Sequence, residues 1–186
     1  MRSERSRRAV LDATFEIAAR KGYTGLTIEA VAASAGVGKP TIYRWWQSKG
    51  VLALDAVNDR MGQSRDFPDT GDIVADLTHQ ANLVIEQLRG DAGTVFRGVI
   101  GAAQSDPDLA AAVRETILAP RISKCSDRLA RAVAAGELRP DVPLYNMVEL
   151  LYAPIYYRML LGSADLSPHL TRARIEYTLQ GLRPRP

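Results

Sequence analysis

Apolar residues recur every three or four positions along nearly all of the 186 residues, and no stretch of useful length alternates apolar with polar. That period confines the chain to helices with one buried stripe and leaves no material for a half-buried strand. Val10, Thr14 and Ile17, together with Leu11, Phe15 and Ala18, mark the core face of a first helix. Arg20 and Lys21 suit its negative end, and Gly22 offers a left-handed cap. Thr27 stands where an N-cap belongs, ahead of Ile28, Val31, Ala32 and Ala35. A third helix opens near Pro40, whose missing N–H needs no partner in a first turn. Ser48 caps a fourth, carrying Val51, Leu52, Leu54 and Val57.

The run Asp-Phe-Pro-Asp-Thr-Gly-Asp at 66–72 is the clearest break in the chain. Beyond it Ile73, Leu77, Ala81, Val84 and Leu88 predict a fifth helix ended by Gly90. The sixth carries Val95, Phe96, Val99 and Ile100 but also Gly93, Gly98 and Gly101. Each glycine costs about 1 kcal/mol relative to alanine inside a helix, so close packing or required pliability has to explain them. Asp106-Pro107 opens a long helix to about Ala135, with Pro120 marking a kink. Asp141 starts the next, which ends at Gly162, and Ser167-Pro168 opens the last. The expected fold is all-α, with about nine helices and no internal repeat.

Several function classes drop out. No apolar run is long enough to cross a membrane, so no membrane partner is expected. The basic start is soon interrupted by Asp12, Glu16, Arg20 and Lys21, which does not suit a signal peptide. A single cysteine, Cys125, fits a reducing cytoplasm and reads as a small core residue. His79 and His169 are far apart and belong to no nucleophile motif or metal-ligand spacing. No catalytic residue, metal or cofactor is therefore expected. The net charge of +3 becomes informative once divided: residues 1–50 hold nine Lys/Arg against four Asp/Glu, whereas 51–186 hold fifteen against seventeen. The N-terminal quarter either meets something anionic or carries a solvated basic face.

Residues 26–49 read as helix, tight turn and short helix. Gly36 supplies the turn, Val37 closes the core beneath it, and Ile42 and Trp46, four apart, face inward. Lys39, Thr41, Tyr43, Arg44 and Trp45 are left on the remaining surface. A cation, a hydroxyl, a phenol and an indole on one short helix suit the DNA major groove.

The pattern Thr27, Val31-Ala32, Ala35-Gly36-Val37, Thr41-Ile42-Tyr43 and Lys49 resembles the TetR family of transcriptional regulators. The stretch from about Ala102 to Arg185, with Ser105-Asp-Pro-Asp-Leu109, Ala119-Pro-Arg121 and Gly136-Glu-Leu-Arg-Pro140, is similar to one C-terminal subtype of that family. The resemblance implies a three-helix DNA reader at 1–50, with helix four (about 48–65) as connector. It also implies a helical ligand-binding and dimerisation domain at 66–186. Carried over by position, Thr27 and Lys49 contact phosphates, while Lys39, Pro40, Thr41, Tyr43 and Trp45 touch DNA. Tyr43 is expected to bond a phosphate, Lys39 and Arg44 guanine edges, and Thr41 a thymine methyl. Arg5, Arg7 and Arg8 have two readings, an arm reaching a minor groove or a frayed, solvated terminus. Two positions depart from the family: Trp45-Trp46 replaces the usual histidine and phenylalanine, and Gly50 stands where an acidic residue is usual.

By the same resemblance the last two helices pair with their copies, with Leu144, Met147, Val148, Leu151, Ile155, Leu179 and Leu182 as interface candidates; intrachain core is the other reading. Phe96, Ile100, Ile117, Arg121, Tyr152 and Tyr156 are candidates to line a ligand cavity, where an arginine suits an anionic or polar molecule. The expected protein is a homodimeric repressor on a palindromic double-stranded operator, released by an unknown small-molecule effector. The alternatives are a regulator without an effector and an architectural DNA binder.

Overall fold

The computed structural model describes residues 2–62, 67–168 and 171–184, and among these it contains helices and connecting turns only. The helices are α1 (Arg2–Lys21), α2 (Ile28–Ala35), α3 (Lys39–Tyr43), α4 (Lys49–Met61), α5 (Ile73–Arg89), α6 (Asp91–Ala103), α7 (Pro107–Val113), α8 (Ala119–Ala134), α9 (Leu144–Leu161) and α10 (Thr171–Leu182). A π-helical turn, Arg114–Leu118, lies between α7 and α8. Taken as one helical segment with its neighbours, it brings the described helices to nine. The fold is all-α. Part of the break expected at 66–72, and His169, lie outside the described residues.

Packing divides the chain into two compact units that are not the sequence-based division at residue 66. One comprises the described residues of Met1–Gln63 together with Leu88–Ile117, and the other those of Ser64–Gln87 and Leu118–Pro186. Within the first, α4 packs on α1, α6 and α7, and α1 also meets α2 and α6. Its core holds Val10, Leu11, Thr14, Ile17 and Ala18 from α1, and Leu52, Ala53, Leu54, Ala56 and Val57 from α4. The i, i+4, i+7 stripe of α1 is thus the buried one. Helix α1 nevertheless begins eight residues before that stripe, at Arg2.

The glycines of α6 have separate causes. A Cβ on Gly98 would lie 2.6 Å from the Cβ of Tyr23, and one on Gly93 would meet the Leu88 carbonyl. Gly101 faces open space. Close approach therefore accounts for Gly93 and Gly98, while nothing in the structure explains Gly101.

Pro120 does more than kink a long helix. It cannot donate to the carbonyl of Thr116, and its ring crowds that carbonyl. The backbone answers with the π turn immediately upstream, and α8 restarts with Pro120 in its first turn. One predicted start shifts as well: α9 begins at Leu144 rather than Asp141, whereas the residues that follow Ser167-Pro168, at 169 and 170, lie outside the described ones.

The second unit is built around a buried ion pair. Arg128 on α8 is 2% exposed and Asp76 on α5 is 1% exposed, with Nε and Nη2 donating to one Asp76 oxygen at 2.9 and 2.8 Å. Thr70 donates its hydroxyl to the other oxygen at 2.7 Å and its backbone N–H to the carboxylate at 3.2 Å. A pair this deep survives because every carboxylate oxygen is bonded. Burial alone pushes the Asp76 carboxyl up, but the bonds from Thr70 and Arg128 outweigh it and hold the group below its ordinary value.

This pair sets an acid limit. Because the folded pKa is depressed, its stabilisation is complete above the unfolded value, about 4, and is lost as pH falls through the folded one. Asp76→Ala leaves buried Arg128 with only the more distant Asp69, at 3.7 Å, and urea unfolding at neutral pH is expected to show a loss of about 3 kcal/mol. In Asp76→Asn the decline of stability below about pH 4 becomes shallower than in the wild type. An unchanged acid limb in that variant contradicts the assignment.

Candidate nucleic-acid interface

Helix α2 is defined at both ends by its sequence. Thr27 is extended and its hydroxyl accepts the N–H of Ala30 at 3.2 Å. At the other end Gly36 takes φ +64°, and the N–H of Val37 donates to the Ala32 carbonyl at 3.0 Å. This double-bonded glycine cap turns the chain sharply into α3. Gly36 is required there because a side chain in the left-handed region is strained.

Helix α3 is only five residues long, too short to be stable alone. It is held from behind. Ile42 is fully buried and Trp46, after the helix, is nearly so. The Trp46 indole is more than an apolar plug, since its Nε1–H donates to Asp55 of α4 at 2.9 Å. Arg7 of α1 bonds the same Asp55 oxygen at 2.8 Å and places its guanidinium 6.0 Å from the Trp46 ring centroid. One carboxylate thereby ties α1, α4 and the end of the reading segment together.

Arg7 and Arg8 lie within α1 rather than in a loose arm: Arg8 pairs with Asp59 at 3.0 Å, and the ladder continues with Arg60 on Asp12 at 2.9 Å. Arg60 also lies over the Phe15 ring at 4.9 Å. Acidic residues on α4 answer the N-terminal arginines one turn at a time. Sequence alone offered the signal (Asp55, Asp59 and Arg60 at helical spacing) without revealing the partner.

With its back pinned, α3 turns the predicted set outward. Lys39, Pro40, Arg44 and Thr27 are exposed, Thr41 is half-buried, and Tyr43 and Trp45 expose 53% and 42% of their surface. Trp45 rests its ring 6.4 Å from that of Trp46. Lys39 is held by Glu29 of α2 at 2.5 Å, which raises its pKa and lowers that of the carboxylate. Lys49, in the first turn of α4, lies 4.5 Å from the Tyr23 ring centroid and donates to the Tyr23 carbonyl at 3.3 Å.

Gly50 has a steric reason. A Cβ there would lie 2.7 Å from Leu109 of α7 and 3.2 Å from the Tyr23 hydroxyl. The acidic residue usual at this position does not fit beneath them. Burial, and then Asp106, raise the pKa of the Tyr23 phenol and keep it neutral.

A helix-turn-helix that presents cationic and aromatic groups outward, within an all-α chain, suits a DNA-binding protein. The family model described as "Bacterial regulatory proteins, tetR family" matches residues 10–56, and "Tetracyclin repressor-like, C-terminal domain" matches residues 67–177. The chain belongs to the TetR family. It is similar to the HTH-type transcriptional regulator YdeS of Bacillus subtilis, at 30% identity over 97% of this chain and 91% of that protein. The DNA-binding transcriptional repressor TetR of Mycobacteroides abscessus is 31% identical over 87% of this chain and 85% of its own length. The crystal structure of the TetR family regulator SCO0332 superposes with a TM-score of 0.79 at 37% identity, covering 96% of this chain and 99% of that one. The chain is accordingly a DNA-binding transcriptional regulator. Among the described residues no helix is long and apolar enough to cross a membrane.

The C-terminal candidates distribute less simply. Phe96, Ile100 and Ile117 fall in the first unit, with Phe96 and Ile117 fully buried; Arg121, Tyr152 and Tyr156 fall in the second. There α8 packs on α9. Burial works against the charged form of Arg121, and Tyr156 is the titratable group that acts on it. Tyr152 carries its hydroxyl into the interior without a hydrogen-bond partner, and burial, then Cys125 and Tyr156, push its pKa well up. The Cys125 thiol is itself pushed up to about 12 by desolvation, as for an inert core residue.

The proposed dimer residues lie on the inner side of their helices. Met147, Val148, Leu151, Ile155, Leu179 and Leu182 are buried within the single chain, and Leu144 is half-buried. Side chains already covered have no surface to give a second copy. The outward stripe of α9 is instead Leu150, Ala153, Pro154, Tyr157 and Leu161, with Tyr177 exposed on α10.

Trp46→Phe keeps an aromatic plug, though a smaller one, and removes the indole donor from Asp55. Losing a hydrogen bond to a charged group is expected to cost about 1.5–3 kcal/mol. The check is urea unfolding followed by circular dichroism. A cost near zero contradicts a structural role for the Trp46–Asp55 bond.

Proposed function

We propose that this regulator is a homodimeric repressor whose two readers occupy the half-sites of a palindromic operator, and that a small molecule bound by its C-terminal helices releases it. The observation that carries the DNA half is α3 with the turn that follows it: Ile42 and Trp46 fix the inner side, and Tyr43, Arg44 and Trp45 are offered outward to a groove. In this reading residues 1–50 are the reader, α4 connects it, and 66–186 bind ligand and partner.

Thr27 bonds a phosphate at the N-terminus of α2, where the backbone dipole already favours an anion. Lys49 adds a point charge at the start of α4, leaving the Tyr23 carbonyl to do so. Tyr43 bonds a second phosphate, and Arg44 and Lys39 take guanine edges. Thr41 meets a thymine methyl, while Pro40 and Trp45 supply apolar contact. The indole of Trp45 has one donor and no acceptor, so it replaces only part of what a histidine offers there.

Dimerisation uses the outward stripe of α9 with Tyr177 of α10. Contiguous exposed aromatic and aliphatic groups of this kind are uncommon on a monomer and typical of an interface core. A dyad axis then sets the spacing of the two α3 helices, which must match half-sites about 34–36 Å apart or a multiple of that. A ligand that prefers a dimer geometry with the wrong spacing releases the operator. The repressor mode follows the relative from Mycobacteroides abscessus, named as a repressor. For the ligand, support comes from Arg121 of α8 and Tyr152 and Tyr156 of α9, a guanidinium and two phenols, each half-buried, on helices that pack together. They suit an anionic or polar molecule with an aromatic or aliphatic body.

Selection of bound sequences from random DNA is expected to return a palindrome, and Tyr43→Ala to lose specific binding at least tenfold while remaining a folded dimer. Binding that falls steeply with salt yet shows no sequence preference supports an architectural protein instead. For the effector, a metabolite screen for displacement from the selected operator should find compounds whose action disappears in Arg121→Ala at unchanged operator affinity. A displacing compound that acts equally on Arg121→Ala places the ligand elsewhere.

A further inference from the structure

Glu29 is the one carboxylate in the sequence between Glu16 and Asp55. It stands in the first turn of α2, two residues after the capping Thr27, on the side of the molecule that the proposed function turns toward DNA. Its Oε1 lies 2.5 Å from the ammonium of Lys39, the first residue of α3, and both side chains are more than half exposed. An exposed ion pair contributes almost nothing to stability. A carboxylate facing a polyanion also repels it, which lowers affinity for any duplex regardless of sequence. The dipole at the start of α2 favours an acid in this turn, but it does not require one that reaches Lys39 of the next helix, and general affinity for DNA argues against it.

Base recognition accounts for it. In the major groove a G·C pair presents guanine N7 and O6 as adjacent acceptors, followed by the cytosine N4 amino donor. A lysine ammonium has three donors. One is taken by Glu29, so two remain, matching the two guanine acceptors. The second oxygen of the Glu29 carboxylate is then beside the position of the cytosine amino group and accepts from it. At an A·T pair the same arrangement sets the ammonium against the adenine amino group and the carboxylate against the thymine O4, two donors together and two acceptors together.

We propose that Glu29 is a specificity-determining residue that, with Lys39, reads a single G·C base pair in each half-site. The inference rests on the reading that α3 enters the major groove, and it adds to that reading an acidic residue from the preceding helix. Glu29 has two tasks here. It orients the lysine, restricting a flexible chain that otherwise drifts to the nearest phosphate, and it makes phosphate contact unfavourable at that point.

The test uses the full-length protein and its own selected operator. Affinities are measured at fixed salt for that operator and for variants carrying each of the other three base pairs at every position. In the wild type one G·C position per half-site is expected to discriminate by about 5- to 150-fold, the range of a well-made base contact. In Glu29→Gln that discrimination should fall to a few-fold at the same position only, with the other preferences kept. Affinity for non-operator DNA should rise, and its salt dependence should steepen by about one phosphate contact as Lys39 becomes available to the backbone. Lys39→Gln should weaken discrimination at that same base pair, identifying the two residues as one reader. Unfolding in urea should shift only slightly in Glu29→Gln, since the ion pair is exposed and only the first-turn dipole interaction is lost. If Glu29→Gln keeps the complete wild-type preference profile, the inference is overturned while the placement of α3 stands. If the wild type selects no defined sequence, the underlying reading fails instead.

Discussion

The reader depends on a single carboxylate. Asp55 receives the Trp46 indole at 2.9 Å and the Arg7 guanidinium at 2.8 Å, so α1, α4 and the segment after α3 meet at one oxygen. A five-residue helix forms too few internal bonds to persist by itself, and its place is set by what grips its ends. Upstream, the grip is the glycine cap at Gly36; downstream, it is Trp46 on Asp55. Between these two points only Ile42 is fully inside, which leaves Lys39, Pro40 and Tyr43 exposed and Thr41 half-buried. The functional surface is a consequence of how few residues hold the helix.

The same economy of space extends to the contacts of Tyr23. Its ring carries Lys49, its Cβ occupies the gap left by Gly98, and its hydroxyl approaches the gap left by Gly50. Leu109 of α7 closes over Gly50 from the other side. Helices α6 and α7, remote in sequence from the reader, therefore pack as part of its unit. Any shift of α6 or α7 against α4 must move Tyr23 or Leu109, because interiors packed this closely do not deform gradually. Both contacts meet at the start of α4, where Lys49 stands against Tyr23 and Gly50 against Leu109.

Much of this was legible in the sequence where the physics is local. Caps at Thr27, Gly36 and Ser48, the stripe of α1 and the inward pair Ile42 and Trp46 follow from side-chain chemistry and helical spacing alone. What was hidden needed a partner. Arg7 and Arg8 look like a loose basic arm until Asp55 and Asp59 are brought beside them. Gly50 looks like a weak helix start until Leu109 lies over it. Helix α9 shows a different limit: apolar residues surround it, so periodicity marks no preferred face. The structure buries Met147, Leu151 and Ile155 and turns Leu150, Tyr157 and Leu161 outward. The Pro120 signal was visible, but whether the backbone kinks or widens into a π turn depends on the packing around Thr116, which no local rule supplies.

The charge of the reader ends with a different meaning from its sum. Nine cations against four acids in residues 1–50 suggest a broadly basic surface. Yet Arg7 and Arg8 are neutralised by α4, Lys39 is held by Glu29, and Lys49 lies on the Tyr23 ring. A protein that relied on bulk electrostatic attraction would leave such groups available to phosphates, since each released counterion adds affinity for any sequence. Here Arg7, Arg8, Lys39 and Lys49 are instead fixed in defined places, by carboxylates and an aromatic face whose positions the fold determines, while Arg5, Arg20, Lys21 and Arg44 stay exposed. Fixing a cation sacrifices indiscriminate attraction and sharpens the penalty for a base pair that does not match it. Charge organised in this way favours sequence discrimination over general DNA affinity, which is what a regulator with few sites in a long genome requires.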